Sequence, residues 1–185
     1  MNDYKNLVKR YPELFITSPE SREPFALFGF ECDIGWYDII KNACHVLYKE
    51  YDRHRIQYEY VVNCLNNLDK YLPVRRSYDK TSSEEDIVKE LEASRAKFDT
   101  LAKQAIERMP KIAQIKEKFG TLRIYVNNYS DLCGVVMDYA ELMSEVTCEV
   151  CGNAGKTYEM SWHKTLCKQH AVERYGEEKL NAYEQ

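Results

Sequence analysis

Cys148, Cys151, Cys167 and His170 form a C-x2-C-x15-C-x2-H array in a chain of 185 residues, and no other feature constrains its fold as tightly. With two residues inside each pair, a tight turn can supply two thiolates, and the first turn of a helix can supply a thiolate and an imidazole. Four soft donors then converge tetrahedrally on one Zn²⁺. Four protein ligands fill the coordination sphere and leave no position for an activated water. The spacing therefore predicts one structural zinc ion and assigns no reaction to it.

The second constraint is a heptad seam. Ile40, Cys44, Leu47, Tyr51, His54, Tyr58, Val61, Leu65, Leu68 and Leu72 recur at alternating spacings of four and three, the pattern of a helix packed along one stripe. Pro73 is expected to stop this helix, VRRSYDKT to form a turn, and Ser82 with Glu85 to make a capping box. A second seam, Ile87, Leu91, Ser94, Phe98, Leu101 and Ala105, ends at Pro110. Two seams joined by a short connection predict a long antiparallel helical hairpin. A helix from Ile34 to Leu72 would span about 58 Å, so residues 51–108 are expected to project as an arm. A homodimeric coiled coil is the alternative way to close the seam. Arg75, Arg76 and Tyr78 fall at the arm tip, where Arg and Tyr are favoured anchors for a protein partner. His54, on the seam, reads as a packed histidine, and the tyrosines beside it as packing residues.

Around the arm, residues 1–50 and 109–146 predict an α+β body, making the fold class α+β and mainly helical. Tyr4, Leu7, Val8 and Tyr11 mark a short helix before Pro12, and Pro19 and Pro24 keep the next segment irregular. Phe25, Leu27, Phe28 and Phe30 suggest a short strand, and Asp33 an N-cap for the long helix. After Pro110 the period becomes alternating. Ile112 to Glu117 and Thr121 to Val126 predict a small β-hairpin about Phe119-Gly120, with Leu122, Ile124 and Val126 on one face. Ser130 caps a further helix whose expected buried stripe is Leu132, Val135, Val136, Tyr139 and Met143.

Residues 147–185 carry the metal ligands. Gly152 permits the knuckle turn, Lys156 to Trp162 reads as a small hairpin, and Cys167 and His170 open a helix continuing through Ala171, Val172, Tyr175 and Leu180. Knuckle, hairpin and ligand-bearing helix resemble a treble-clef zinc finger packed on the body. His163 is an alternative ligand with less regular spacing to Cys167.

The net charge of −4 does not favour general attraction to nucleic acid. A filled site, with three thiolates, one Zn²⁺ and a neutral imidazole, moves it to about −5. Nucleic-acid binding would need Lys111, Lys116, Lys118, Arg123, Lys164 and Lys168 to converge on one face, with Tyr125 or Trp162 available for stacking. No apolar run is long enough to cross a bilayer, no membrane partner is expected, and the start MNDYKNLVKRYPELF lacks secretory features, so a cytoplasmic location is expected. In a reducing compartment Cys32, Cys44, Cys64 and Cys133 read as free core thiols. The chain has no phosphate-cradling glycine loop, no G-x-S-x-G and no H-E-x-x-H, so it reads as a non-enzyme. A nuclease built on the finger with His163 is a weaker alternative.

FGFECDIGWYDII at 28–40, KEKFGTLRIYV at 116–126 and TCEVCGNAG…W…TLCKQH at 147–170 resemble a family of uncharacterised small proteins carried by phages and prophages. The resemblance covers the parts flanking the hairpin, and residues from about Tyr51 to Arg108 look like an elaboration absent from shorter members. It implies a viral accessory protein in a bacterial host cytosol that binds a host or phage macromolecule, a counter-defence inhibitor among the possibilities. The family supplies no activity to carry over.

Overall fold

Proline and glycine set many of the element boundaries in this chain. The computed structural model describes residues 2–16 and 22–183, and Pro19 lies outside them. Helix α1 (Asn2–Arg10) ends ahead of a single 3-10 turn at Pro12–Leu14. Pro24 opens α2 (Pro24–Phe28), and Gly29, at φ 68°, closes it by donating its N–H to the Phe25 carbonyl at 2.9 Å. The strand expected at Phe25–Phe30 is thus mostly helix, because proline at the first helical position and glycine just past the last favour one helical turn. Strand β1 is reduced to Phe30–Glu31.

Asp33 precedes a 3-10 turn at Ile34–Trp36 and makes no side-chain cap, after which α3 runs from Tyr37 to Asn66. The helix does not stop at Pro73. It breaks at Asn67, whose side-chain amide donates to the Asn63 carbonyl at 2.9 Å, the local competition that makes Asn a poor interior residue. Helix α4 (Leu68–Tyr78) then contains Pro73. The carbonyl left free by the proline belongs to exposed Asp69, where water can satisfy it. The next cap lies one residue later than Ser82. Ser83 Oγ accepts the Asp86 N–H at 3.1 Å and starts α5 (Glu84–Arg108). Ser82 instead donates its hydroxyl to Asp79 Oδ2 at 2.7 Å, one of several bonds by which Asp79 organises the loop.

Strands β2 (Lys111–Lys118) and β3 (Thr121–Asn127) form the β-hairpin, with Ile115 opposite Ile124, and β1 pairs parallel to β2 with Phe30 opposite Ile115. Phe119 and Gly120 make the connection at φ 53° and 81°, a turn whose left-handed residues match strand twist. Helix α6 (Asp131–Glu145) follows, with Ser130 Oγ accepting the Cys133 N–H at 3.3 Å as its cap.

The buried side of α6 is not the expected stripe. Cys133, Gly134, Ala140 and Ser144 face inward, while Leu132, Val135 and Tyr139 are exposed and Val136 and Met143 half-buried. Small residues let the helix approach β3 closely, and Ser144 Oγ accepts the Leu122 N–H at 2.9 Å, giving that strand amide a partner. The bulky side chains are left outside.

Strands β4 (Lys156–Tyr158) and β5 (Lys164–Leu166) pair antiparallel. Helix α7 (Lys168–Tyr175) ends at Gly176, φ 82°, so the expected continuous helix becomes two, with α8 at Glu177–Tyr183. The chain divides into two compact units, Met1–Leu47 with Pro110–Gln185, and Tyr48–Met109. In the second, Val61, Cys64, Leu72, Ile87 and Leu91 form a buried apolar cluster. In the first, Trp36, Ile40, Ile112, Ile115 and Leu122 are buried, and Cys148, Tyr158, Leu166, Ala171 and Leu180 form a further buried cluster.

Candidate metal centre

The two halves of the donor set arise from different local structures. Cys148 and Cys151 lie on a turn closed by the Gly152 N–H, which donates to the Cys148 carbonyl at 2.9 Å with Gly152 at φ 77°. Cys167 is the N-cap of α7, and His170 lies in its first turn. Cys148 Sγ and Cys167 Sγ stand 3.3 and 3.2 Å from His170 Nδ1, and Cys151 Sγ is 3.9 Å from Cys167 Sγ. All four donor atoms lie within 4.8 Å of one another, the one such group among the described residues. Tetrahedral bonds of about 2.3 Å to sulfur and 2.0 Å to nitrogen separate donors by about 3.5 to 3.8 Å, so this set has the dimensions of a metal cage.

The electrostatics of the donor set also suit a cation. Burial alone would push the Cys148 thiol up, but the amides of Cys167, Cys151 and Val150 and the His170 ring outweigh it and bring it down to about 7. At Cys151 the Asn153 amide pulls the thiol down, yet burial and the neighbouring Cys148 and Cys167 thiols leave it raised. Three thiolates held this close would repel one another, and a bound divalent ion would relieve that repulsion.

The donor turn is anchored to the 3-10 turn just before α3. Gly35 donates its N–H to the Glu149 carbonyl at 2.7 Å, and Trp36 Nε1 donates to the Thr147 carbonyl at 2.8 Å. Glu149, between the two knuckle cysteines, is only 2% exposed. Lys164 Nζ lies 2.7 Å from Glu149 Oε2 and 3.1 Å from Glu117 Oε2, while the Glu117 Oε1 atom accepts the Gly120 N–H at 2.7 Å. Burial raises the Glu149 carboxyl against the pull of Lys164; for Lys164, burial is outweighed by its two carboxylates and the ammonium is held above its usual range. Thr165 Oγ1 adds a bond to the Gly120 carbonyl at 2.6 Å. Sequence spacing gives the four donors but not these supports, since Gly35, Glu149 and Lys164 are far apart in the chain and no period connects them.

The six cations of the expected basic face are differently engaged. Arg123 pairs with Glu141, Lys164 sits in its buried triad, and Lys111 donates to the Glu13 carbonyl. Lys116 and Lys118 lie 5.3 and 5.4 Å from the Tyr125 and Phe119 ring centroids. Lys168 is the first residue of α7. Of the residues expected as anchors, Arg75 Nη2 is 3.2 Å from Glu90 Oε2 and Arg76 Nη2 is 3.4 Å from Glu84 Oε2, so both join α4 to α5. Tyr78 is 86% exposed. His163 is not among the four donors and meets the Phe119 ring edge-on, centroids 6.3 Å apart. Burial pushes the Cys32 and Cys44 thiols up to about 12.

Among the described residues no helix is long and apolar enough to cross a membrane. No family model matches the chain, and no curated protein or solved structure matches it.

Proposed function

We propose that this chain is a non-enzymatic interaction module in which one zinc ion fixes a treble-clef-like finger and a protein partner docks elsewhere on the surface. The carrying observation is the outward apolar row of α6. Leu132, Val135, Tyr139 and Leu142 are 54–68% exposed on a helix whose other side is buried. Contiguous apolar surface of this kind marks a site of protein association.

The donor chemistry supports zinc over harder ions, since three thiolates and an imidazole suit a soft, tetrahedral cation. With all four positions held by protein, the ion's contribution is to fold the segment rather than to activate water. The resemblance to phage-borne proteins supports a host or phage protein as the partner in a bacterial cytosol, with inhibition of a host defence as the specific role. The alternative of nucleic-acid binding draws on Lys116, Lys118 and Tyr125 at the β-hairpin. It is weakened by the ion pairs that hold Arg123 and Lys164.

The test is affinity capture from a bacterial lysate with the zinc-loaded full chain and a Val135→Asp variant, each with nuclease treatment. Val135 is 68% exposed, so the variant should keep its fold and zinc content. A protein retained by the parent after nuclease treatment and lost from the variant is the expected result. Recovery of nuclease-sensitive material alone would replace this reading with the basic-face one.

A further inference from the structure

The outward face of α6 carries more order than apolarity alone. Leu132, Val135, Tyr139 and Leu142 follow spacings of three, four and three, the a/d seam of a two-helix interface. Asp131, Asp138 and Glu145 recur at seven-residue intervals immediately beside that seam. All three are exposed and form no ion pair among the described residues. They make a row of carboxylates about 21 Å long at 1.5 Å rise per residue. In heptad terms they occupy successive g positions, and the facing e positions are Val136 and Met143. Helix α6 has no lysine or arginine. A groove of about 530 Å³ runs between α6 and the first part of α3, with Ile39, Ala43, Val46, Val136 and Met143 among its walls. Across it, Asp38 and Lys41 pair with each other.

We propose that this face is half of a two-helix interface whose partner is an amphipathic helix bearing lysine or arginine beside an apolar heptad seam. The inference rests on the interaction-module reading and specifies its partner by charge. An apolar seam in the partner fills the groove and covers the a/d row. Basic residues at seven-residue intervals meet the carboxylate row, and such flanking charges select partner and orientation. A second copy of α6 is the wrong occupant. Laid antiparallel, the two g rows would bring six carboxylates together, and laid parallel, they would face the apolar e positions; neither arrangement pairs a charge.

The probes are two synthetic three-heptad peptides with leucine at a and d, one with lysine and one with glutamate at e and g, titrated by fluorescence anisotropy into zinc-loaded full chain. The lysine peptide should bind saturably at one per chain, weaken as salt is raised, and bind at least about tenfold more tightly than the glutamate peptide. The variant Asp131→Lys, Asp138→Lys, Glu145→Lys should invert that preference. A control with the same charge change on α5, Glu85→Lys, Glu92→Lys, Glu107→Lys, should keep it. Equal effects of the two triple variants, or an unchanged affinity in Val135→Asp, would overturn the inference, as would a dimer in sedimentation that Val135→Asp dissociates. If lysate capture depends on Val135 while neither peptide binds, the basic-helix assignment fails and the interaction-module reading survives.

Discussion

A methyl group on residue 35 has nowhere to go. A Cβ there would lie 2.2 Å from the Cys148 carbonyl oxygen and 2.5 Å from that of Glu149, both backbone atoms of the knuckle. Gly35→Ala must therefore shift the turn that aims two thiolates, and it should cost about 1–3 kcal/mol in thermal unfolding, as overpacking of a tight contact does. A competition titration against a zinc chelator should show weaker metal retention as well; an unchanged midpoint and unchanged retention would mean the knuckle is not braced by the 3-10 turn at Ile34–Trp36. Lys164 is the second residue-scale support. Its ammonium is enclosed with two carboxylates, one of them almost fully buried. Lys164→Met would leave Glu149 and Glu117 without their cation, and breaking a buried pair from one side costs about 3 kcal/mol or more. Replacing all three by apolar residues should recover much of that loss, a comparison readable by chemical denaturation.

At the scale of elements, the helical seams were legible because a repeat of three and four identifies a packed stripe wherever it falls. Helix α5 and the seam through Leu72 follow it. The boundaries were less legible, since Asn67 breaks the helix through a side-chain bond to Asn63 while Pro73 is accommodated inside α4. Period also failed to choose a face for α6. Two stripes were available, one large and apolar, one small, and the close approach to β3 selects the small one. That choice depends on a strand amide needing an acceptor, a tertiary fact. The convergence of Cys148, Cys151, Cys167 and His170 was legible because their chemistry and spacing are local in each pair. Arg75 and Arg76 were expected as exposed anchors; Arg75 is half-buried and Arg76 exposed, and they pair with Glu90 and Glu84 of α5. These pairs are part-exposed, and such pairs are worth under about 1 kcal/mol. Arg75→Ala with Arg76→Ala should thus lower the unfolding midpoint only slightly; a large drop would show that these pairs hold the hairpin together.

For the molecule as a whole, we propose that the metal serves folding and the surface serves recognition. The unit formed by Met1–Leu47 and Pro110–Gln185 contains the Cys3His cage, its apolar cluster and the exposed α6 face. The unit formed by Tyr48–Met109 has its own apolar cluster. With a net charge of −4, the chain is poorly suited to general phosphate attraction. All of this requires the ion to be closed off from chemistry. X-ray absorption at the zinc edge of the protein, purified with its own metal, tests that requirement most directly. The account predicts one zinc per chain with three sulfur neighbours at about 2.3 Å and one nitrogen at about 2.0 Å. An oxygen neighbour in place of a protein donor, or a shell with fewer than three sulfurs, would reveal an open position and contradict the assignment of a purely structural site.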